Sequence, residues 1–417
     1  MIGELIAIGD ELITGRILNT TSSFAARQLF AAGHEIYAIS TIGDDPGLIG
    51  ESLKRAVGRT DFVIVTGGLG ATSDDLTNEA ASSALNRPAT FYPEIFAKIV
   101  AHLQGRPLPD QKYLEKLAWL PNGSKALNTA GKMAGHLLIH DGKPLFFLPG
   151  VPHEMKELLV NLVLPQLAVW ESEVPPRVRQ KVYKIFGLPE IEINRRLEHL
   201  GKDDRHLRLG YYPVFPEVHL SLTCLGDDHR EVAARFAEIG AEVELILGDF
   251  IFGTDDDTLE SVVGRLLAER HQTLAVAESC TGGLVAQRIT RVAGSSAYFI
   301  GGIVAYHNDL KAELLGVAGG LLEKHGAVSA AVARAMAEGV RRQTGVDIAV
   351  AVTGIAGPGG GSVAKPVGTV FLGLTTAAGT SDRCYNFIGN RWQIQELAAQ
   401  AALDLVRRAM LKLPLKY

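Results

Sequence analysis

The sequence predicts an α/β protein, with two doubly wound α/β domains joined by a small α+β module. Three observations carry that prediction. Short apolar runs alternate with helical patterns at both ends of the chain, the order that builds parallel sheets covered on both faces. Glycine-rich turns follow several of these runs, where such sheets place their ligands. The chain has 417 residues, enough for two or three cores at roughly 150 residues per domain.

Residues 2–8 read as a buried strand that runs into Gly9-Asp10-Glu11. A helix is expected at about 20–32, with Phe24, Leu29 and Phe30 toward the core and Gly33 as its stop. A strand at about 35–42 and a helix at about 46–58 follow. The strand Asp61–Thr66 enters Gly67-Gly68-Leu69-Gly70, so Gly9–Glu11 and Gly67–Asp75 should share one rim. The first domain, 1–172, closes near Leu145–Leu148 and a helix from about 153, with Pro175-Pro176 marking the break.

The module 173–254 takes strands Val178–Phe186 and Val218–Leu225 and helices at about 189–199 and 229–245. The last domain, 255–417, opens on Asp255-Asp256-Asp257, read as a solvated linker and helix N-cap rather than a metal site. A helix at 258–270, the strand Thr273–Ala277, a turn at Glu278–Gly282 and a helix through Thr290 come next. Strands Asp347–Thr353 and Gly368–Thr375 and a closing helix at about 391–411 complete it.

Hydrophobic residues make up 47% of the chain and charged ones 21%, so each domain can bury a core. A formal net charge of −5 argues against a basic face for nucleic acid or anionic membrane. Anionic small molecules stay open, because backbone N–H groups and one or two cations can hold a phosphate. The cysteines are three, far apart, with no C-x-x-C, so neither zinc nor a disulfide framework is expected. The opening residues read as a strand rather than a signal peptide, and no run of ~18 apolar residues occurs. A cytoplasmic protein is expected, without membrane or direct nucleic-acid partners.

Ser279 falls where a strand turns sharply into a helix. That geometry exposes a nucleophile at a sheet rim, although G-x-S-x-G itself is absent. A serine needs a base, and Lys311 with Tyr306 can supply and relay one. The other reading is a Ser/Thr/Cys cluster that caps a helix. Cys280 is either a rival nucleophile or a small buried hydrophobe.

Ala277-Glu-Ser-Cys-Thr-Gly-Gly283, Gly301-Gly-Ile-Val-Ala-Tyr306, Gly326-Ala-Val-Ser329, Thr353-Gly-Ile-Ala-Gly-Pro358 and Lys365-Pro-Val-Gly-Thr369 resemble the nicotinamide mononucleotide deamidase family, over about 258–412. The resemblance implies hydrolysis of the nicotinamide carboxamide to the acid, with ammonia released and no cofactor. It assigns a Ser–Tyr–Lys apparatus to Ser279, Tyr306 and Lys311. Thr281, Gly282, Gly283, Thr353, Gly354 and Gly357 are expected around the substrate. Gly282 and Gly283 would offer N–H groups to an oxyanion, unobstructed by side chains. The turn Gly354–Gly361 would admit the ribose phosphate, and reads equally as a structural loop without the G-K-[ST] of a P-loop.

Gly67-Gly-Leu-Gly-Ala-Thr-Ser-Asp-Asp75 reads as a plain turn with an N-cap, or as a phosphate cradle in which Asp74 and Asp75 hold a hard cation or a ribose. Together with Gly9-Asp-Glu-Leu12, Gly43-Asp-Asp45 and Leu148-Pro-Gly-Val-Pro-His-Glu-Met155, it resembles the molybdopterin-binding-type domain of the CinA competence/damage-inducible family. The whole chain resembles full-length members. The resemblance implies ADP-ribose pyrophosphatase activity with a divalent metal, magnesium or similar. Gly67, Gly68, Gly70 and Thr72 would meet the substrate, and Asp74 and Asp75 the metal.

Ala71 stands where that family reads proline, a loss of fixed φ that loosens the loop. His153-Glu154 is not H-E-x-x-H, because Glu157 replaces the second histidine, and Glu154 reads as a ligand or a first-turn acid. The middle segment resembles a KH-like domain, but lacks a G-x-x-G loop with basic neighbours, so a spacer or dimer contact is expected rather than RNA binding. A homodimer acting on nicotinamide mononucleotide and ADP-ribose is the leading expectation. A non-catalytic competence or DNA-repair partner, and a molybdopterin-binding protein by fold analogy, are the alternatives.

Overall fold

The computed structural model describes residues 1–102, 111–127, 135–170, 177–202, 204 and 206–415. The break expected at Pro175-Pro176 lies outside them. Two compact units emerge, Met1–Arg179 with Cys224–Ala234, and Gln180–Thr223 with Arg235–Tyr417.

The first unit holds β1 (Ile2–Ile8), β2 (Glu35–Ile42), β3 (Phe62–Thr66), β4 (Ala89–Phe91), β5 (Trp119–Pro121), β6 (Lys125–Ala126), β7 (His136–His140) and β8 (Lys143–Leu148). One sheet runs β2-β1-β3-β8-β7-β6, and β4 pairs with β5 separately. β1, β2, β3 and β8 are parallel, while β7 and β6 add an antiparallel edge. All of β3 is buried, as a central strand covered on both faces requires. Alternation decides which face each residue serves. Ile6, Val63 and Val65 pack on Ile49 and Leu53 of the helix Pro46–Arg59. Leu5, Phe62 and Ile64 pack on Leu29 of the helix Thr20–Ala31 and on Met155. Of the core residues expected in that helix, Leu29 is fully buried, and Phe24 and Phe30 are half-buried.

β9 (Arg177–Ile185), β10 (Leu207–Val214), β11 (Glu217–Gly226) and β12 (Ile251–Thr254) form a sheet in the order β10-β11-β9-β12. The helices Glu190–Leu197 and His229–Leu247 accompany it. β10 and β12 carry no clear apolar alternation and were not anticipated.

The last sheet contains β13 (Leu274–Glu278), β14 (Phe299–Val304), β15 (Ile348–Gly354), β16 (Thr369–Thr376) and β17 (Gly379–Asn386), ordered β14-β13-β15-β16-β17. β13 is parallel to β14 and β15, and β16 and β17 run antiparallel. Ala275, Ala277, Ala349 and Ala351 face Met336 and Val340 of the helix Ala330–Thr344. Small residues bring that helix close, so that a Cβ at Gly373 would stand 2.1 Å from the Ala333 carbonyl. On the other face Val276, Val350 and Val352 share a core with the helices Leu259–Glu269 and Arg391–Leu411. The acidic tract does not cap the first of these. Thr258 does, in a capping box with Ser261, while Asp255 accepts the Val182 N–H and Asp257 pairs with Arg265. No helix among the described residues is long and apolar enough to cross a membrane.

Candidate functional site

β13 is buried throughout and delivers Glu278 at its carboxyl end. Ser279 extends the pairing, its N–H donating to the Val352 carbonyl at 2.9 Å. The chain turns through Gly282 (φ +64°) and Gly283 (φ +101°), where a side chain would be strained, into the helix Leu284–Thr290. Cys280 enters the core beside Val276, Val285 and Val352. Burial first, and then the Glu278 carboxylate, push its thiol up to about 12. Ser279 is 8% exposed, and its hydroxyl has no partner among the described residues.

The helix end expected to face substrate is taken. The Glu278 carboxylate folds back to accept the N–H groups of Gly283 at 3.0 Å, Val285 at 3.1 Å and Ala286 at 2.9 Å. The Gly282 N–H donates to the Ser279 carbonyl at 3.1 Å. Neither Gly282 nor Gly283 therefore offers a free N–H to an oxyanion, because a fully buried carboxylate needs several donors of its own. The Cys280 and Thr281 N–H groups have no partner among the described residues. The buried Thr281 hydroxyl is likewise unpartnered.

Beyond β14 the chain passes Ala305–His307 into the helix Asn308–Leu315. His307 is the exposed N-cap of this helix, its Nδ1 accepting the Asp309 N–H at 3.4 Å. Lys311 lies in the first turn and is 1% exposed. Its Nζ donates to the carbonyls of Ala305 at 2.9 Å and Tyr306 at 3.1 Å. Burial holds its pKa below the ordinary lysine value. The Ala305 N–H in turn donates to the Glu278 carbonyl at 2.8 Å, which ties the segment that Lys311 binds to the end of β13.

Tyr306 is exposed, and its hydroxyl accepts from Arg391 Nη2 at 2.9 Å. Arg391 Nη1 donates to the Gly357 carbonyl at 2.7 Å. One turn on, Gln395 Nε2 donates to the Cys280 carbonyl at 2.8 Å. The first turns of the helix Arg391–Leu411 thus tie together the Ser279–Gly283 turn, Tyr306 and the glycine-rich loop. Ser279, Tyr306 and Lys311 share this neighbourhood, but no hydrogen bond joins the Ser279 hydroxyl to either partner. Thr353 and Gly354 serve the scaffold. The Thr353 hydroxyl donates to the Ala327 carbonyl at 2.9 Å, and a Cβ at Gly354 would stand 2.9 Å from the Thr369 carbonyl.

In the first unit Gly9, Glu11 and the Gly67–Asp75 loop do share a rim, lining a cavity of about 420 Å3. The three glycines are needed for close approach. A Cβ would stand 2.1 Å from the Ile8 carbonyl at Gly67, 2.2 Å from Thr77 Oγ1 at Gly68 and 2.4 Å from Asp75 Oδ2 at Gly70. The Asp75 carboxylate fastens this loop by accepting the Thr72 N–H at 2.9 Å and the Thr72 hydroxyl at 2.5 Å. Asp74 is exposed, and hydrogen bonding with Thr72, helped by the Lys116 charge, holds its carboxyl below the usual range.

Asp10 and Asp44 each accept the other's N–H, at 3.2 Å and 2.8 Å. Burial first, and then the charges of Asp10, Glu11 and Asp74, raise the Asp44 carboxyl above its usual value. Glu154 is a first-turn acid of the helix Pro152–Leu158, as one of its readings had it, and also lines the cavity. Among the described residues no group of three or more His, Cys, Asp or Glu side chains is placed to hold a metal by itself.

Known proteins align with each part. A CinA C-terminal domain matches residues 256–410, a probable molybdopterin binding domain residues 4–169, and a damage-inducible protein CinA KH domain residues 180–253. A CinA-like protein of Desulfotalea psychrophila is 52% identical over 98% of this chain and 99% of its own. The chain belongs to the CinA family. A putative competence-damage inducible protein of Moorella thermoacetica is 42% identical over 98% of this chain and 99% of its own. The crystal structure of competence/damage inducible protein CihA from Agrobacterium tumefaciens is 37% identical, covering 37% of this chain and 97% of that one, with a TM-score of 0.35.

In this CinA-family chain three residues of the C-terminal site escaped the sequence reading. Glu278 sits inside a motif whose serine drew the attention. Arg391 and Gln395 are polar residues on the first turns of a helix some 110 positions after Ser279, and no local pattern marks them.

Proposed function

We propose that the C-terminal site hydrolyses nicotinamide mononucleotide to nicotinic acid mononucleotide and ammonia, with Ser279 as the nucleophile. The observation that carries this reading is a rim serine whose strand is bonded to the segment bearing a buried lysine's carbonyl partners, while the neighbouring thiol is sunk in the core. A lysine short of water gives up its proton more readily and can take one from serine. The Arg391 guanidinium holds the Tyr306 hydroxyl, which relays the proton to the leaving ammonia. The N–H groups of Cys280 and Thr281, with the Thr281 hydroxyl, take the oxyanion in place of the glycine N–H groups first expected. The reaction needs no cofactor. Ammonia release from nicotinamide mononucleotide by the purified chain, with the acid product weighed by mass spectrometry, tests the reading. Substrate returned unchanged would end it.

The acidic cavity supports a second activity, metal-dependent cleavage of the ADP-ribose diphosphate. Five carboxylates line it, those of Glu11, Asp44, Asp74, Asp75 and Glu154. The strain of unneutralised charge on Asp44 fits a cation. Magnesium commonly uses one or two carboxylates and takes its other oxygens from water and phosphate. Asp44 and Asp74 would hold it, with Asp75 keeping its loop role. When bound, the cation offsets the charge that builds up on the diphosphate. Excess chelator should abolish cleavage and Asp74→Asn should lower it strongly, while full activity in chelator would refute the metal. A homodimer, in the cytoplasm, completes the proposal, and light scattering at twice the chain mass would support it.

A further inference from the structure

The connection between β10 and β11 reaches the helix from which the C-terminal site is held. The two strands are neighbours in their sheet, and only Phe215 and Pro216 separate them, so they form a tight hairpin. At its tip the Phe215 ring meets the Trp392 ring, with centroids 5.3 Å apart and planes at 39°. A ring pair at this separation attracts and favours particular orientations. Trp392 is the second residue of the helix Arg391–Leu411, next to the arginine that binds the Tyr306 hydroxyl and the Gly357 carbonyl.

The hairpin grips the same helix a second time. Glu217, the first residue of β11, accepts from Gln400 Nε2 at 3.1 Å. Gln400 is fully buried and bound at its other end too, its Oε1 accepting from Arg288 Nη2 at 2.6 Å. A buried amide bonded at both ends keeps one orientation. From Trp392 to Gln400 the helix rises roughly 12 Å at 1.5 Å per residue, and both ends of that stretch are tied to the hairpin. Residues four apart share a helix face. Arg391 and Gln395 are such a pair, and theirs is the face that meets Tyr306, Gly357 and the Cys280 carbonyl. Trp392 and Gln400 lie round the helix from it.

We propose that the β10–β11 hairpin is a positioning element of the deamidase site, and that Phe215, by bracing the start of the helix Arg391–Leu411, sets where Arg391 holds the Tyr306 hydroxyl. The proposal rests on the deamidase reading and adds to it a residue of the module that touches no substrate. A guanidinium on a long side chain is only as well placed as the backbone that carries it. The reacting groups themselves lie outside the hairpin. Without Phe215 the chemistry therefore remains but is less well aimed, which lowers kcat and leaves KM near the parent value.

Two measurements on the full chain test this. Phe215 is exposed, so its truncation opens no cavity in the core. The first measurement is ammonia release from nicotinamide mononucleotide. Phe215→Ala should lower kcat at least about tenfold, short of the roughly hundredfold that a misplacement of about 1 Å can cost. Phe215→Tyr keeps the ring and should restore the rate. On an Arg391→Ala background Phe215→Ala should cost nothing further, because the two act through one contact. The second measurement needs no substrate. With 3-fluorotyrosine in place of Tyr306, the 19F resonance senses the guanidinium beside the hydroxyl. Phe215→Ala should move that resonance toward its position in Arg391→Ala, and Phe215→Tyr should return it. A parent-like kcat in Phe215→Ala, a full further loss on the Arg391→Ala background, or an unmoved resonance would each overturn the positioning role. No ammonia from the parent would end the deamidase reading alone, and the resonance would then decide whether the hairpin places Arg391.

Discussion

Lys311 is an ammonium group with little water around it, held on two main-chain carbonyls. As a general base it must be neutral to work. Its depressed pKa brings that form within reach, so deamidation should rise with pH along a limb centred below the ordinary lysine value. The measurement is kcat against pH. Lys311→Ala should lose both the limb and at least about a hundredfold in rate. A parent profile flat to high pH would deny Lys311 the role. His136 shows the opposite use of burial. Burial alone lowers its pKa to about 3, so it stays neutral against Asn78 and Phe147. Its folded value lies below the unfolded one, so the stability it contributes is full above about pH 6.5 and is lost as pH falls toward 3. His136→Gln should therefore shift acid unfolding of the first unit to lower pH, followed by circular dichroism, and an unshifted midpoint would contradict this. The turn that carries Ser279 was legible because an apolar strand runs into a glycine pair there.

At the scale of elements, the Ser279–Gly283 turn depends on one carboxylate. Glu278 accepts three N–H groups that the helix Leu284–Thr290 would otherwise leave open. Glu278→Gln keeps the shape but turns a donor toward donors. It should cost about 2 kcal/mol or more, seen as a fall of roughly 4 °C or more in the Tm of the C-terminal domain. A Tm within one degree of the parent would mean that the turn holds without that charge. The helix Arg391–Leu411 falls where the closing helix was expected, and Asn390 and Gln393 form a capping box at its start. β17 was not, since its half-exposed polar residues at a sheet edge lack the apolar alternation of an inner strand. Two blocks that carry the family resemblance hold the scaffold together. Ser329 caps the helix Ala330–Thr344, and Lys365 binds the carbonyls of His325 and Val328.

For the whole molecule, the core behind the nucleophile turn reaches past the expected start at 255. Phe186 and Phe252 belong to the same cluster as Val276 and Val352. The buried Arg407 donates to the carbonyls of Asp249 at 2.7 Å and Ile251 at 3.3 Å. A fragment 180–417 should keep full deamidase activity. A fragment 255–417 should keep the site but melt earlier, having lost two aromatic side chains and two acceptors for a buried guanidinium. Equal melting temperatures would show that the core closes without the module. The central claim is that a serine, set at the rim by β13, attacks the carboxamide while the adjacent cysteine only packs. Its most direct test is ammonia release from nicotinamide mononucleotide by Ser279→Ala and Cys280→Ala, each checked for folding. The account predicts that Ser279→Ala falls at least about a hundredfold and that Cys280→Ala keeps most of its activity. An active Ser279→Ala beside an inactive, folded Cys280→Ala would contradict it and make the enzyme a thiol amidohydrolase.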